Sequence, residues 1–65
     1  MLALDNILDA EEVAKLLRVH RRTVIRLASQ GEIPAFKVGD KWRFMREDLE
    51  SYIEEQKRKQ QQQKQ

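Results

Sequence analysis

The 65-residue chain has no cysteine, so neither a disulfide framework nor a thiolate metal site can stiffen it. Its single histidine, His20, cannot make a zinc site without several carboxylate partners. No apolar run approaches the ~20 residues that a membrane span needs. The opening Met1-Leu2-Ala3-Leu4-Asp5 is too short and too acidic for a secretory signal, so the expected compartment is the cytoplasm and no membrane partner is expected. There is no phosphate-cradling glycine loop, metal triad or nucleophile–base set, so the chain is not expected to be an enzyme or to need a cofactor. The acids Glu47, Asp48, Glu50, Glu54 and Glu55 fall on a polar helix with no second catalytic group, where capping and solubility account for them. A chain this short makes one domain at most and must build its core from a few short packed elements.

The net charge is only +2, but its distribution is uneven. Residues 1–17 carry Lys15 against Asp5, Asp9, Glu11 and Glu12. Residues 18–46 carry Arg18, Arg21, Arg22, Arg26, Lys37, Lys41, Arg43 and Arg46 against Glu32 and Asp40. Residues 47–56 hold the five acids named above and no base, and the tail turns basic at Lys57, Arg58, Lys59 and Lys64. Positive charge gathered in the middle of a chain suits a polyanion-binding face.

Asp9-Ala10-Glu11-Glu12 has the spacing of a capping box, with Leu8 before it as a hydrophobic staple. Val13, Ala14, Leu16 and Leu17 follow at helical spacing and predict a first helix over 10–17. Arg18-Val19-His20 breaks the pattern. Arg21 to Gln30 reads as a second helix, with His20 at the N-cap and Gly31 as the residue free to take a positive φ at its end. Two short helices joined by a turn of about three residues make a helix-turn-helix. Phe36 and Val38 alternate with Lys37, Gly39-Asp40-Lys41 is a turn, and Trp42 and Phe44 alternate with Arg43. This predicts a two-stranded hairpin with an apolar face packed on the helices and a basic face shared by Lys37 and Arg43. Glu47 opens a third helix, with Leu49, Tyr52 and Ile53 as its apolar stripe. Gln60 to Gln65 is low in complexity and polar, a frayed or disordered end. The expected fold is mainly α with a small β-hairpin: a winged helix-turn-helix of three helices and a two-stranded wing. Its division is a lead-in at 1–6, the domain at 7–56 and a basic, Gln-rich tail at 57–65. Val13, Ala14, Leu17, Val19, Val24, Leu27 and Leu49 are expected in the core, and Ala14 lets the helices approach closely.

His20-Arg21-Arg22-Thr23-Val24-Ile25-Arg26 sets basic and hydroxyl groups at a helix start directly after a tight turn. B-DNA's major groove admits an α-helix and presents a full donor–acceptor code. The arginine fork matches guanine O6 and N7, and helix-start amides with a Thr hydroxyl suit phosphate. Lys37, Lys41 and Arg43 add a basic ribbon able to follow the backbone or enter the minor groove. Trp42 can stack on a base, but an aromatic on a short strand more often packs. His20 is a cap before it is a base contact or pH sensor. Arg18 and Arg46 are surface charges or contacts in equal measure, and the tail bases serve solubility or phosphate attraction.

Leu8-Asp9-Ala10-Glu11-Glu12-Val13-Ala14-Lys15-Leu16-Leu17, Val19-His20-Arg21-Arg22-Thr23-Val24, Gly31-Glu32-Ile33-Pro34-Ala35-Phe36-Lys37-Val38-Gly39, Trp42-Arg43-Phe44 and Arg46-Glu47-Asp48-Leu49 together resemble the excisionase-family helix-turn-helix domain, related to the DNA-binding domain of MerR-type regulators. The resemblance covers residues 7–55. It implies a bacterial or phage protein that binds double-stranded DNA, with Arg21, Arg22, Thr23 and Arg26 facing DNA from the helix and Lys37 and Arg43 from the wing. An excisionase-like architectural role or transcription regulation follows from it. The implied partners are a recombinase or RNA polymerase and further copies of the chain on adjacent repeats. Three positions depart from the family pattern: Arg18 where glycine is frequent, His20 in place of a Ser or Thr cap, and Ile25 where an aromatic approaches phosphate. The competing expectation is a protein-interaction module docking through the third helix and tail, with the basic face incidental. RNA fits less well, because the narrow A-form groove excludes a helix.

Overall fold

The computed structural model describes residues 4–62. A 3-10 turn, Leu4–Asn6, leads into strand β1, Ile7–Asp9. Helix α1 spans Ala10–Leu17, helix α2 Arg21–Ser29, strands β2 and β3 Phe36–Val38 and Lys41–Met45, and helix α3 Arg46–Gln62. The order matches the winged helix-turn-helix expectation, with one addition. The wing has three antiparallel strands, not two, in the order β1-β3-β2. Ile7-Leu8-Asp9 is too short to show a strand period. Its pairing comes from β3, whose free edge it covers with Leu8 opposite Phe44 and Asp9 opposite Arg43.

Helix α1 starts where the capping box places it. The Glu12 amide donates to Asp9 Oδ1 at 2.8 Å, and the Asp9 amide donates to Glu12 Oε1 at 2.9 Å. Leu8 and Val13, the staple positions on either side of the cap, both lie in the core. The core joins every layer: Leu8 from β1, Ala10, Val13 and Ala14 from α1, Val24 and Ala28 from α2, Ile33 from the loop, Phe44 from β3 and Leu49 from α3. Leu17 and Leu27 pack against it half-buried, as do Tyr52 and Ile53. Val19, expected inside, is 42 % exposed, because it follows the end of α1 and its side chain is not on the packed face of either helix.

The hairpin corrects the expected pairing of faces. The turn is the two residues Gly39-Asp40, not three, with Gly39 at φ +65°. Val38 therefore pairs with Lys41, Lys37 with Trp42 and Phe36 with Arg43. A one-residue change in loop length reverses which side chains share a face. Phe36, Val38, Lys41 and Arg43 now share one face, and Lys37, Trp42 and Phe44 the other. Only the second face meets the core, so Phe44 is fully buried while Val38 is 58 % exposed. Helix α3 opens at Arg46, one residue before the expected Glu47, directly off β3. It continues through the first tail residues to Gln62. The first three residues of the lead-in and the last three of the tail lie outside the described residues.

The turn between α1 and α2 depends on Arg18, which holds φ 58° and ψ 45°, the left-handed conformation. The Val19 amide donates to Ala14 O at 3.0 Å, the six-residue bond that closes a left-handed helix end. For a residue with a Cβ this conformation costs about 1–2 kcal/mol. Arg18→Gly is accordingly expected to raise unfolding stability by up to about 1 kcal/mol, after the added entropy of glycine in the unfolded chain is subtracted. Urea unfolding followed by circular dichroism measures this, and a loss of stability would show that the turn gains more from the arginine side chain than the conformation costs.

Candidate nucleic-acid interface

The left-handed turn at Arg18 sets the direction in which α2 leaves α1. His20 follows in an extended conformation, and its Nδ1 accepts the Arg22 amide at 3.2 Å. The cap is thus present, though longer than the 2.8 Å bond Asp9 makes for α1. Main-chain bonds from Thr23 and Val24 to His20 O complete the first turn. At the other end Gly31 takes φ +75°, and the Glu32 amide donates to Leu27 O at 2.9 Å. Buried Ile33 then fastens the exit from α2 to the core.

Inside these ends the 3.6-residue repeat sorts the side chains. Val24 and Ala28 are buried, with Leu27 and Ile25 half-buried beside them. Arg22 and Arg26, one turn apart, are exposed on the opposite face. Ser29 extends that exposed row by another turn. Ser29 is not among the expected contacts, although its spacing from Arg22 and Arg26 marks it; its hydroxyl donates to Arg26 O at 2.9 Å. Arg21 is exposed on the flank toward the wing, and Thr23 is half-buried on the other flank. Ile25, where the family pattern has an aromatic, turns its side chain between the core and the wing.

Between the start of α2 and the wing lies an open groove of about 400 Å³. Arg21, Lys37, Lys41 and Arg43 all line it, so four of the seven expected contact residues converge there. Arg22, Thr23 and Arg26 do not line it and belong to the neighbouring surface of α2. Although Lys37 and Arg43 leave opposite faces of the hairpin, both reach this groove around Trp42. The Lys37 ammonium stands 5.5 Å from the centre of the Trp42 ring, within cation–π range. Arg43 Nη1 donates to Trp42 O at 2.9 Å, which holds the guanidinium along the strand. Trp42 itself is half-buried and packed against the core.

Three carboxylates, Asp9, Glu11 and Asp40, share the groove with the cations. One oxygen of Asp9 is committed to capping α1. None of the three comes within 4.0 Å of a cationic side chain; among the described residues the one ion pair of that length joins Lys57 and Glu54 on α3. The interface cations therefore face solvent without a close counter-charge, and at greater separations water and salt weaken the acids' pull. Chemically the cationic side chains offer guanidinium forks and two ammonium groups, donors suited to an anionic, acceptor-rich partner. Among the described residues no helix is long and apolar enough to cross a membrane.

Comparison with known proteins agrees with this geometry. The chain is 48 % identical over 42 residues to the uncharacterised protein YvgK of Bacillus subtilis, a match covering 65 % of this chain and 14 % of that protein. It is 36 % identical over 53 residues to the uncharacterised protein Mb2337 of Mycobacterium bovis, covering 82 % of this chain and 46 % of the relative. It is 40 % identical over 48 residues to "Putative DNA-binding protein Rv0500A" of Mycobacterium tuberculosis, covering 74 % of this chain and 62 % of the relative. The matched segment is thus less than two thirds of each of these curated relatives. No solved structure matches the chain. Residues 7–57, which run from β1 into the second half of α3, match the model of a helix-turn-helix domain, and the chain belongs to that family.

Proposed function

We propose that this chain binds double-stranded DNA, placing α2 in the major groove and the wing on the adjacent backbone or minor groove. The observation that carries this is the groove where Arg21 of α2 meets Lys37, Lys41 and Arg43 of the wing, together with Arg22 and Arg26 exposed on the neighbouring face of α2. Family membership and the Mycobacterium tuberculosis relative named as DNA-binding support the same reading. The second helix of a helix-turn-helix reaches base edges through its first turns while the first helix crosses the backbone.

Arg22 and Arg26 point away from the core and are the base-reading candidates. Arg21 and Thr23, on the two flanks of α2, hold phosphates on either side of the groove. Lys37, Lys41 and Arg43 track the backbone from the wing. The binding unit is residues 7–56, acting without cofactor or catalytic step. Its biological setting is that of an excisionase-like architectural factor or a transcription regulator, working beside a recombinase or RNA polymerase, with further copies on adjacent repeats. A protein-interaction module would leave unexplained why cations from two separate elements converge with no close ion-pair partner.

Selection of bound duplexes from a random pool, followed by footprinting, gives the motif and repeat spacing on which the tests run. With ~4–6 phosphates neutralised, log affinity should fall against log salt with a slope of about −4 to −5. A slope near zero would remove the phosphate contacts from the account. Arg22→Ala should relax base preference and cost ~1–3 kcal/mol, whereas Arg43→Ala should weaken binding to all sequences alike. If both variants bound the selected duplex as the parent does, the proposed interface would be wrong.

A further inference from the structure

The seven expected contacts omit the residue that opens α2. His20 is exposed, and its two ring nitrogens stand in different roles. Nδ1 accepts the Arg22 amide at 3.2 Å. A ring nitrogen that accepts carries no hydrogen, so the imidazole that makes this bond is neutral and bears its proton on Nε2. The cap thereby fixes the tautomer. Among the described residues no protein oxygen takes up the Nε2 hydrogen.

The same residue occupies the amides of the first turn. The Thr23 amide donates to His20 O at 2.9 Å and the Val24 amide at 3.3 Å. With the Arg22 amide on Nδ1, three consecutive main-chain donors are committed to His20. A helix start ordinarily presents such amides to phosphate. Here the outward donor is the ring's own Nε2–H, polarised by the amide bonded to the other nitrogen. The neighbours select the acceptor. Arg18, Arg21 and Arg22 are all exposed close by in the chain, and among the described residues none has a carboxylate within 4.0 Å. Three guanidinium groups about one neutral donor suit an anionic oxygen better than a base edge, which carries only partial charge. Arg21, the next residue, lines the cationic groove, so the imidazole adjoins the surface already assigned to phosphate.

We infer that His20 is a further phosphate contact of the DNA interface, on whose placement of α2 the assignment rests. The neutral ring caps α2 through Nδ1 and donates through Nε2 to a backbone phosphate. A protonated ring cannot do both, because a hydrogen on Nδ1 displaces the Arg22 amide.

A 65-residue chain is open to chemical synthesis, which allows His20 to be methylated at Nε2 alone. Methylation leaves Nδ1 to cap and removes the donor. The thermal melt should match the parent's, while affinity for the selected duplex should fall about three- to tenfold, the worth of one hydrogen bond. A neutral donor releases no counterion, so the slope of log affinity against log salt should equal the parent's. His20→Ser keeps a favoured cap on a shorter side chain, and should lose affinity to the same extent without losing stability, which separates the donor from the bulk of the methyl group. Long-range proton–nitrogen spectra of the parent should show hydrogen on Nε2 and none on Nδ1, both free and bound, with slower Nε2 exchange on the duplex. Parent-like affinity in either altered chain, a hydrogen on Nδ1, or a slope flattened by about one, the sign of a charged ring, would each overturn the assignment. A parent that bound no duplex would overturn the DNA interface and this contact with it. Parent-like binding by the His20 chains, with Arg22→Ala and Arg43→Ala still weakened, would remove His20 alone.

Discussion

Phe44 lies fully buried in the central strand of the wing, with Leu8 across from it on β1 and Leu49 soon after it on α3. The arrangement depends on that burial. A two-stranded ribbon in water is marginal by itself, and this one becomes a fixed part of the molecule because its middle strand is paired on both edges and inserts an aromatic side chain among α1, α2 and α3. Truncating a buried phenylalanine typically costs about 3–5 kcal/mol, comparable to the whole stability of a domain this size. Lys37, Lys41 and Arg43 are held beside Arg21 only while Phe44 holds β3 against the helices.

The same constraint explains the mixed chemistry of the wing. A two-residue turn fixes the register, and the register sends one face inward. Phe44 and Trp42 take the packed side with Lys37 folded over the indole, while Phe36 and Val38 are left outside with Lys41 and Arg43. The outer face of the hairpin is therefore apolar and basic at once. The helix side of the interface is simpler: its 3.6-residue repeat separates Val24 and Ala28 from Arg22 and Arg26 completely.

Local chemistry was the most legible part of the sequence. The Asp9–Glu12 capping box, the His20 cap and Gly31 at the end of α2 each depend on a few neighbouring residues and lie where the spacing put them, whereas the left-handed conformation of Arg18 was signalled only by the glycine frequent at that place in the resembled family. Long-range pairing was not legible. β1 exists because β3 has an edge to fill, and three residues cannot announce that by periodicity. The hairpin faces turned on whether Lys41 belongs to the turn or to the strand, a choice decided by pairing along β3 rather than by composition. Val19 is apolar and adjacent to core residues, yet the turn leaves it outside. The basic residues of the candidate interface were found because charge clusters are visible in one dimension. The convergence of Arg21, Lys37, Lys41 and Arg43 on one groove, and the three carboxylates that share it, are products of the fold.

The central claim is that α2 and the wing present one surface to DNA while the far side of the molecule does not. Amide resonances followed during titration with a selected duplex test it most directly. The account predicts perturbations concentrated at His20–Arg26 and Phe36–Arg43, with Leu49 to Ile53 little changed. Perturbations centred on α3, with the start of α2 and the hairpin unmoved, would contradict it.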